Sequence, residues 1–302
     1  MGMPAQIIDG DRIASQIKEE LRERLTKLHF AGHSPGLAVV LVGEDPASKV
    51  YVSMKAKECR ELGILSKQVD LPETVSEEEL LKNLDYIQAD PKVDGILVQM
   101  PLPDHISEAK VMERIEPDKD VDGFHPVNVG RMLMGAPGIL PCTPHGIQQL
   151  LIRSGNSPEG KHVVVVGRSN IVGKPIAAIL MQKAKNANAT VTICHSGTKD
   201  LAQHTKQADI LIAAMGRPQF IKADMVKDGV VVIDVGMNRV EDPKSEKGYR
   251  LVGDVDYDAV SKKAKAITPV PGGVGPMTRA MLMANTVRAA EIAFEKAQAK
   301  KR

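Results

Sequence analysis

Short runs of aliphatic and β-branched residues alternate along the chain with longer segments that carry a helical pattern of apolar positions. In the first half, the predicted elements are, in order, a strand over 36–43, a helix over 47–62, a strand around 68–71, a helix over 76–89 and a strand over 94–100. The second helix begins with a capping box, because Ser76 is followed three residues later by Glu79. This alternation predicts βαβ units on a parallel sheet.

The middle of the chain interrupts the alternation. Residues 117–142 are rich in Gly, Pro, Asp and Asn and show little periodicity, so we predict loops that lead into a linker. Thr143 is predicted to cap a helix that begins at Pro144 and ends near Ser154.

A second alternation follows, and it predicts a nucleotide-binding sheet. Its strands are predicted at 162–166, 190–194, 210–213 and 230–235. The last segment, 276–299, predicts one long helix that starts at Pro276 and packs back on the first half. The whole pattern is typical of an α/β protein.

Composition limits the classes of function. The 302 residues suffice for two domains, and 43% apolar with 26% charged residues is typical of a soluble globular protein. A net charge of +2 and an aromatic content of 3% argue against a nucleic-acid partner. No apolar run reaches the roughly 18 residues of a membrane span, and the N-terminal segment with Asp9, Asp11 and Arg12 does not resemble a signal peptide. We therefore expect a cytoplasmic protein without a membrane partner.

The three cysteines, Cys59, Cys142 and Cys194, are widely spaced and form no CxxC pair. This pattern indicates a reducing compartment and no metal site. We predict that all three are small, buried hydrophobic residues.

The strongest local motif is the segment 167–175, which follows the predicted strand at 162–166. A P-loop requires four residues between its glycines, but five separate Gly167 from Gly173 here, and Pro175 follows Lys174. The dinucleotide fingerprint GxGxxG also fails, because Ser169 stands in place of its second glycine. The order of strand, glycine turn and helix still suits a phosphate at a helix N-terminus. Dinucleotide binding and a plain tight turn both stay open at this point, whereas an NTPase is disfavoured.

The identity of a dinucleotide depends on the end of the second strand of this sheet. NAD enzymes usually place a carboxylate there, but the strand ends in Cys194, His195 and Ser196. Arg168 in the first turn suits a 2′-phosphate, and His195 and Ser196 tolerate one. We therefore favour NADP over NAD, with a solvated loop arginine as the alternative for Arg168.

Residues 118–123 match the first half of an EF-hand loop. Position 12 of such a loop requires a bidentate Glu, but Val129 stands there, which argues against calcium. Two interpretations remain, an Asp-rich turn and a carboxylate that binds a ligand rich in N–H donors.

Tyr51 and Lys55 are four residues apart on a predicted helix and therefore share a face. A Tyr–Lys pair beside a cofactor can transfer protons, but Lys55 would need a lowered pKa, which requires burial or a nearby positive charge. The alternative, which the residues alone favour, is a surface ion pair between Lys55 and Glu58.

Two further segments are candidates for ligand contacts. Gln99 ends a predicted strand, where ligands of open α/β sheets bind, although the prolines at 101 and 103 also explain a simple strand end. The segment 268–278 is a stiff Gly- and Pro-rich loop before the last helix, and such a loop lets a flat ligand approach the backbone.

Together these motifs resemble the bifunctional methylenetetrahydrofolate dehydrogenase/methenyltetrahydrofolate cyclohydrolase (FolD) family over essentially the whole chain. The segments that carry the resemblance are 51–55 (YVSMK), 98–103 (VQMPLP), 120–124 (DVDGF), 141–144 (PCTP), 167–173 (GRSNIVG) and 269–278 (PVPGGVGPMT). The last two are highly specific in combination. Two residues depart slightly from the family pattern. His145 stands where a long basic residue is expected, and Val127 stands where an aromatic residue is frequent.

The resemblance implies NADP-dependent oxidation of 5,10-methylenetetrahydrofolate, followed by hydrolysis of the methenyl product to 10-formyltetrahydrofolate, a one-carbon reaction that serves purine biosynthesis. It implies Lys55 as the central catalytic residue, Gln99 as the group that tunes it, Tyr51 as the residue that orients the folate, and Asp122 as the acceptor for the pterin edge. The implied folate-loop residues are Pro271, Gly272, Gly273 and Thr278, and the implied NADP residues are Gly167, Arg168, Ser169, Ile171, Gly173, His195 and Ser196.

The implied architecture is two three-layer α/β domains with a cleft between them, the second being a Rossmann-type NADP-binding domain. Residues 1–140 and 276–302 would form the catalytic, folate-binding domain, and residues 141–275 the NADP-binding domain. The resemblance also implies a homodimer. The alternatives are a dehydrogenase-only or NAD-using relative, against which Lys55 and the missing strand-end carboxylate argue, and a non-catalytic NADP-binding regulator.

Overall fold

The computed structural model describes residues 4–245 and 248–300. Its strands are, in chain order, β1 (Gln6–Ile7), β2 (Gly36–Val42), β3 (Leu65–Leu71), β4 (Gly95–Val98), β5 (His162–Val166), β6 (Thr190–Cys194), β7 (Ile210–Ala213), β8 (Val231–Asp234), β9 (Asn238–Glu241), β10 (Tyr249–Val252) and β11 (Ala266–Ile267). Its α-helices are, in chain order, α1 (Gly10–Phe30), α2 (Pro46–Leu62), α3 (Glu77–Ala89), α4 (Glu108–Arg114), α5 (Pro126–Met134), α6 (Cys142–Arg153), α7 (Gly173–Leu180), α8 (Leu201–Thr205), α9 (Tyr257–Val260) and α10 (Val274–Ala299).

The chain divides into two compact units. The 16–142 unit comprises residues 16–142 and 279–300, and the 143–278 unit comprises residues 4–15 and the described residues from 143 to 278. The N-terminal residues thus differ from the predicted division, which assigned them to the domain of residues 1–140. The physical reason is strand pairing, because β1 pairs in parallel with β11.

The 16–142 unit is built on a parallel sheet with the strand order β3-β2-β4. All seven residues of the central strand β2 are buried. On one face, Ala38 and Val40 pack with Leu84 of α3. On the other face, Leu41 lines a cavity with Ala56 of α2. Helices therefore cover both faces, which explains the nearly continuous apolar sequence of β2.

The 143–278 unit contains a six-stranded parallel sheet with the order β1-β11-β8-β7-β5-β6. On one face, Val164 and Leu211 belong to a buried cluster that includes Val260 of α9. On the other face, Val165 and Ile212 are also fully buried, and α7 packs against β5 and β6. Strands β9 and β10 form a separate antiparallel hairpin. The predicted α/β class and Rossmann-type sheet are confirmed.

The predicted strands of this sheet agree closely with the observed ones. Strands β5, β6 and β7 have the predicted bounds, and β8 is one residue shorter at each end. Helix α10 begins at Val274, two residues before the predicted start.

Two predictions in the middle of the chain are wrong. The stretch 117–142 contains helix α5, which His125 caps by accepting the Val127 N–H with Nδ1, and which ends at Gly135. Thr143 is not a helix cap, because α6 already begins at Cys142 and the Thr143 hydroxyl lies 2.8 Å from the Thr278 hydroxyl, both in the 143–278 unit.

All three cysteines are buried and free, as predicted. In the part of the chain that the structure describes, no helix is long and apolar enough to cross a membrane.

Replacing Leu84 with Ala tests the core of the 16–142 unit. Leu84 is fully buried on α3, so its truncation is expected to destabilise the unit by about 2–5 kcal/mol through lost apolar contact and a residual cavity. The midpoint of urea unfolding measures the effect. Tyr86→Ala on the same helix is the control, because Tyr86 is 77% exposed, and an equal loss in both variants would contradict this packing.

Candidate active site

Helix α2 presents Tyr51 and Lys55 on one face. Its start is set by Asp45, whose side chain accepts the N–H of Ser48 at 2.7 Å, and its end by Gly63, which adopts a left-handed conformation with φ 75°. Lys55 is half-buried, whereas Tyr51 is 43% exposed. A capped helix therefore holds the predicted Tyr–Lys pair in a defined place.

The amine of Lys55 is held by the side-chain amide of Gln99, the residue that follows β4. Lys55 Nζ donates a hydrogen bond to Gln99 Oε1 at 2.8 Å. The Gln99 amide is itself fixed, because its Nε2 donates to the carbonyl oxygen of Met100 at 2.7 Å. The contact partner of Lys55 is thus a neutral acceptor, which does not by itself hold the amine in the charged form.

Asp122 and Cys142 complete the surroundings of Lys55. Burial lowers the pKa of Lys55, while the negative charge of Asp122 raises it and partly opposes that effect. Burial also raises the pKa of Asp122 to about 6, opposed by Lys55 and assisted by Asp120. Loss of solvent therefore moves both groups toward their neutral forms, which is typical of acid–base sites.

Glu58 does not pair with Lys55. Its Oε1 accepts hydrogen bonds from Lys18 Nζ at 2.9 Å and Arg279 Nε at 3.0 Å, all within the 16–142 unit. The surface ion pair that the residues alone favoured for Lys55 is wrong, because Glu58 is buried toward α1 and α10.

The Asp-rich segment 118–123 forms a turn. Asp120 accepts hydrogen bonds from the N–H groups of Gly123 and His125 and from the side-chain amide of Asn128. Asp118 instead pairs with Arg131 and Lys296. Among the described residues, no group of three or more His, Cys, Asp or Glu side chains is arranged to hold a metal ion. Asp122 is the carboxylate of this segment whose charge interacts with Lys55.

The turn after β5 depends on two glycines. A Cβ on Gly167, whose φ is 134°, would lie 2.1 Å from the carbonyl oxygen of Ala214, and a Cβ on Gly173 would lie 2.2 Å from the oxygen of Gly167. Ser169 Oγ accepts the N–H groups of Val172 and Gly173 at 3.1 and 3.3 Å. Ser169, which stands in place of a second glycine, therefore supplies an acceptor for backbone N–H groups at the start of α7.

A cavity of about 410 Å³ opens beside this turn in the 143–278 unit. It is lined by Val166, Gly167, Arg168, Ser169, His195, Ser196, Thr198, Leu201, Ala214, Met215, Arg217 and Phe220. Its volume lies within the range of about 300–1,000 Å³ common for small-molecule sites. An exposed guanidinium and serine hydroxyls near a helix N-terminus fit the phosphate groups of a dinucleotide.

Some predicted site residues lie outside this cavity. Ile171 is 57% exposed on the turn, and Gly173 serves the start of α7. Pro271, Gly272 and Gly273 border a separate, small cavity together with Asp234. The Thr278 hydroxyl forms a hydrogen bond with the Thr143 hydroxyl.

Comparison with known proteins decides the family. The model of the tetrahydrofolate dehydrogenase/cyclohydrolase catalytic domain matches residues 8–122, and the model of the NAD(P)-binding domain of the same family matches residues 141–294. The chain is 60% identical over 291 residues to the bifunctional protein FolD of Dehalococcoides mccartyi strain CBDB1, covering 96% of this chain and 98% of the relative. The chain belongs to the tetrahydrofolate dehydrogenase/cyclohydrolase family.

Solved structures agree with this assignment. The bifunctional FolD methylenetetrahydrofolate dehydrogenase/cyclohydrolase of Campylobacter jejuni has a TM-score of 0.90 at 49% identity, covering 95% of this chain and 99% of that one. The Trypanosoma brucei methylenetetrahydrofolate dehydrogenase-cyclohydrolase, solved with NADP and an inhibitor, has a TM-score of 0.90 at 39% identity, covering 97% and 99%. The family resemblance, the enzyme class and the two-domain fold with a dinucleotide-binding domain are thereby confirmed.

Several residues that lie near Lys55 or line the cavity of the 143–278 unit were not predicted from the sequence. Arg217 and Phe220 follow β7, and the Arg217 guanidinium lies 4.5 Å above the Phe220 ring. Their position after the third strand of the sheet was a usable signal, because ligands bind at the carboxyl ends of such strands. Cys142 was predicted only as a core residue, and no local pattern indicates its place beside Asp122.

The two departures from the family pattern have different surroundings. Burial, with a smaller effect of Arg153, lowers the pKa of His145 to about 4, so the residue is neutral where a basic group is expected. Val127 lies in the first turn of α5 and is 43% exposed.

Replacing Asp122 with Asn tests the electrostatics around Lys55. Because the Asp122 charge raises the pKa of Lys55, its removal is expected to lower that pKa further. Labelling with an amine-reactive reagent across pH, followed by mass spectrometry of the Lys55 peptide, measures the midpoint. Asp118→Asn is the control, since Asp118 pairs with Arg131 and Lys296. A midpoint that rises or stays constant in the Asp122 variant would contradict the assignment.

Proposed function

We propose that this protein oxidises 5,10-methylenetetrahydrofolate with NADP⁺ and hydrolyses the methenyl product to 10-formyltetrahydrofolate. The observation that carries the proposal is the environment of Lys55. This lysine is half-buried, its amine donates a hydrogen bond to Gln99, and it lies close enough to Asp122 for their charges to interact. Family membership supplies the substrate class. We further propose the 16–142 unit as the catalytic, folate-binding domain and the 143–278 unit as the NADP-binding domain.

The dehydrogenase step needs positioning more than proton transfer. When bound, the nicotinamide of NADP⁺ accepts the hydride that leaves the methylene carbon, so the products are NADPH and the methenyl cation. The residues of the protein hold the reactants, and such positioning lowers a barrier by as much as about 7–11 kcal/mol in favourable cases. In this proposal Tyr51 orients the folate and Asp122 accepts hydrogen bonds from the N–H groups of the pterin edge.

The cyclohydrolase step needs a group that takes a proton from water. The water oxygen bonds to the methenyl carbon and one C–N bond of that carbon breaks; one water proton ends on the departing nitrogen, and the other is released. A lysine whose pKa is lowered by burial can accept that proton at Nζ, and the cationic substrate lowers the pKa further. Gln99 holds Nζ in place for this transfer.

The folate loop is proposed from the Gly- and Pro-rich segment of the 143–278 unit. Pro271 is exposed, and Gly272 has a left-handed φ of 99°. The carbonyl oxygen of Gly272 accepts the N–H of Gly10, which fixes the loop against the start of α1. We propose that Pro271, Gly272, Gly273 and Thr278 line the folate site, because a fixed loop poor in side chains admits a flat ring closely.

NADP is favoured over NAD by the residues around the cavity of the 143–278 unit. Arg168 and Ser196 line it, and β6 ends at Cys194 followed by His195 and Ser196, with no carboxylate at that strand end. We propose that Arg168 and Ser196 contact the 2′-phosphate, and that Gly167, Ser169, Ile171, Gly173 and His195 shape the remainder of the cofactor site. A homodimer, a cytoplasmic location and a contribution to purine biosynthesis complete the proposal, and they rest on the family resemblance.

A coupled absorbance assay tests the function. Purified protein is mixed with 5,10-methylenetetrahydrofolate and either NADP⁺ or NAD⁺, and NADPH and methenyl-folate are followed together. NADPH formation with little accumulated methenyl product and a weak NAD⁺ signal is expected. A methenyl signal that decays only at the uncatalysed rate would support the dehydrogenase-only alternative, and no reduction with either cofactor would support a non-catalytic binder.

Lys55→Met is expected to abolish most of the hydrolysis. General acid–base groups contribute about 10²–10⁴-fold to a rate, so the cyclohydrolase turnover is expected to fall by that order while NADP binding persists. Hydrolysis of methenyltetrahydrofolate and calorimetric titration with NADP measure the two effects. Lys57→Met is the matched control, because the Lys57 side chain is 72% exposed on the same helix. Retained hydrolysis in the Lys55 variant would refute its role.

Arg168→Ala is expected to weaken NADP binding about tenfold or more and to leave NAD binding nearly unchanged, because only NADP carries the 2′-phosphate. Dissociation constants for both cofactors measure the difference. Arg250→Ala is the control, since this arginine lies on β10 with a side chain that is 55% exposed. Equal losses for NADP and NAD would argue against the 2′-phosphate contact.

A further inference from the structure

Two buried carboxylates have no role in the proposed function. Asp234 ends β8 and is 3% exposed, and Asp254 follows β10 and is 0% exposed. Both belong to the 143–278 unit. Burying a carboxylate is costly unless hydrogen-bond donors surround it, so the donors that hold each one indicate what it does.

Asp254 accepts hydrogen bonds from three donors of one loop and from one side chain of β9. Its Oδ2 accepts the N–H groups of Met215 at 2.7 Å and Gly216 at 2.9 Å. Its Oδ1 accepts the N–H of Arg217 at 2.9 Å and the side-chain amide of Asn238 at 2.9 Å. Three consecutive backbone N–H groups therefore converge on one carboxylate, an arrangement that fixes the shape of the segment 215–217.

Asp234 holds Asp254 in turn. Its Oδ1 accepts the N–H groups of Gly236 at 3.0 Å and Asp254 at 2.9 Å, and its Oδ2 accepts the N–H of Val255 at 2.9 Å. The space for it is kept open by glycine, since a Cβ on Gly253 would lie 1.8 Å from Asp234 Oδ2. The two carboxylates thus form a chain in which Asp234 fixes the backbone that carries Asp254.

The segment that Asp254 holds is a wall of the candidate cofactor cavity. Met215 and Arg217 line that cavity together with Arg168, while Asp254 is not among its lining residues. The Arg217 side chain lies over Phe220, a further lining residue. Asp254 therefore reaches the cavity only through the loop that it binds.

We propose that Asp254, seated by Asp234, is a positioning residue for the cofactor: it holds the segment 215–217 in the shape that receives NADP. The inference rests on the proposed function for the identity of the ligand. A loop that is fixed before binding loses less conformational entropy when the ligand arrives, so the carboxylate contributes to affinity without touching NADP.

Asp254→Asn is the direct test. The variant keeps the shape but replaces one acceptor oxygen by an NH₂ group, which faces two N–H donors and leaves them unpaired. We expect the dissociation constant for NADP, measured by calorimetry, to rise about tenfold or more, with a higher KM for NADP. Hydrolysis of methenyltetrahydrofolate without cofactor is expected to stay within about twofold, because Lys55 and Gln99, which are proposed to act in that step, lie in the 16–142 unit.

Asp256→Asn is the matched control. Asp256 lies two residues further on, is half-buried and binds Lys222 at 3.0 Å, so its replacement removes the same charge without touching the segment 215–217. A milder second variant, Asn238→Ala, removes one donor to Asp254 and is expected to raise the dissociation constant less. Amide hydrogen exchange at 215–217 in the absence of cofactor should be faster in Asp254→Asn than in Asp256→Asn.

The outcomes separate the two proposals. Unchanged NADP affinity in both Asp254→Asn and Asn238→Ala, beside a wild type that binds NADP, overturns the positioning role alone. Equal loss of NADP binding and cyclohydrolase turnover in Asn238→Ala shows a general structural role and also overturns it. A wild type that binds no NADP overturns the proposed cofactor, and this inference with it.

Discussion

The inner strands β2, β7 and β8 of the two parallel sheets are buried on both faces, so their polar groups can meet a ligand only where the strands end. The candidate functional segments follow this constraint closely. At the carboxyl ends of β4, β5, β6, β7 and β8 stand, respectively, Gln99, Gly167, His195, Met215 and Asp234. The order in which the strands pair thus determines which polar groups become neighbours. The buried apolar residues of the strands fix the sheet, and the sheet fixes the positions of the polar residues at its edge.

Burial away from solvent is the main cause of the pKa shifts at Lys55, Asp122 and Asp234. Burial shifts the pKa of Lys55 down and the pKa of Asp122 up to about 6, although attraction between the two opposes both shifts. Burial likewise raises the pKa of Asp234 to about 6, opposed by the N–H groups that it accepts. Asp122 thus lies near a cationic side chain, whereas Asp234 is held by several amide N–H groups.

Helix α5 escaped prediction because its stability is not local. Helix α5 contains Gly130 and the β-branched Val127 and Val129, which are poor helix formers. It is supported from outside, since buried Asn128 donates to the carbonyl oxygen of Pro117 and to Asp120. Strands β5 to β8 were predicted nearly to the residue, because unbroken buried runs are visible without any knowledge of their partners.

The alternating strands, the glycine turn after β5 and the motifs that identify the family can be recognised in the linear chain, because each depends on spacing within a few residues. The partners of the charged groups cannot, because they are distant in the chain. The acceptor for Lys55 is Gln99, 44 residues away, and Glu58 binds Lys18 and Arg279, which are 40 and 221 residues away. The burial of a side chain, and with it its pKa, arises from segments that meet only when the chain has folded.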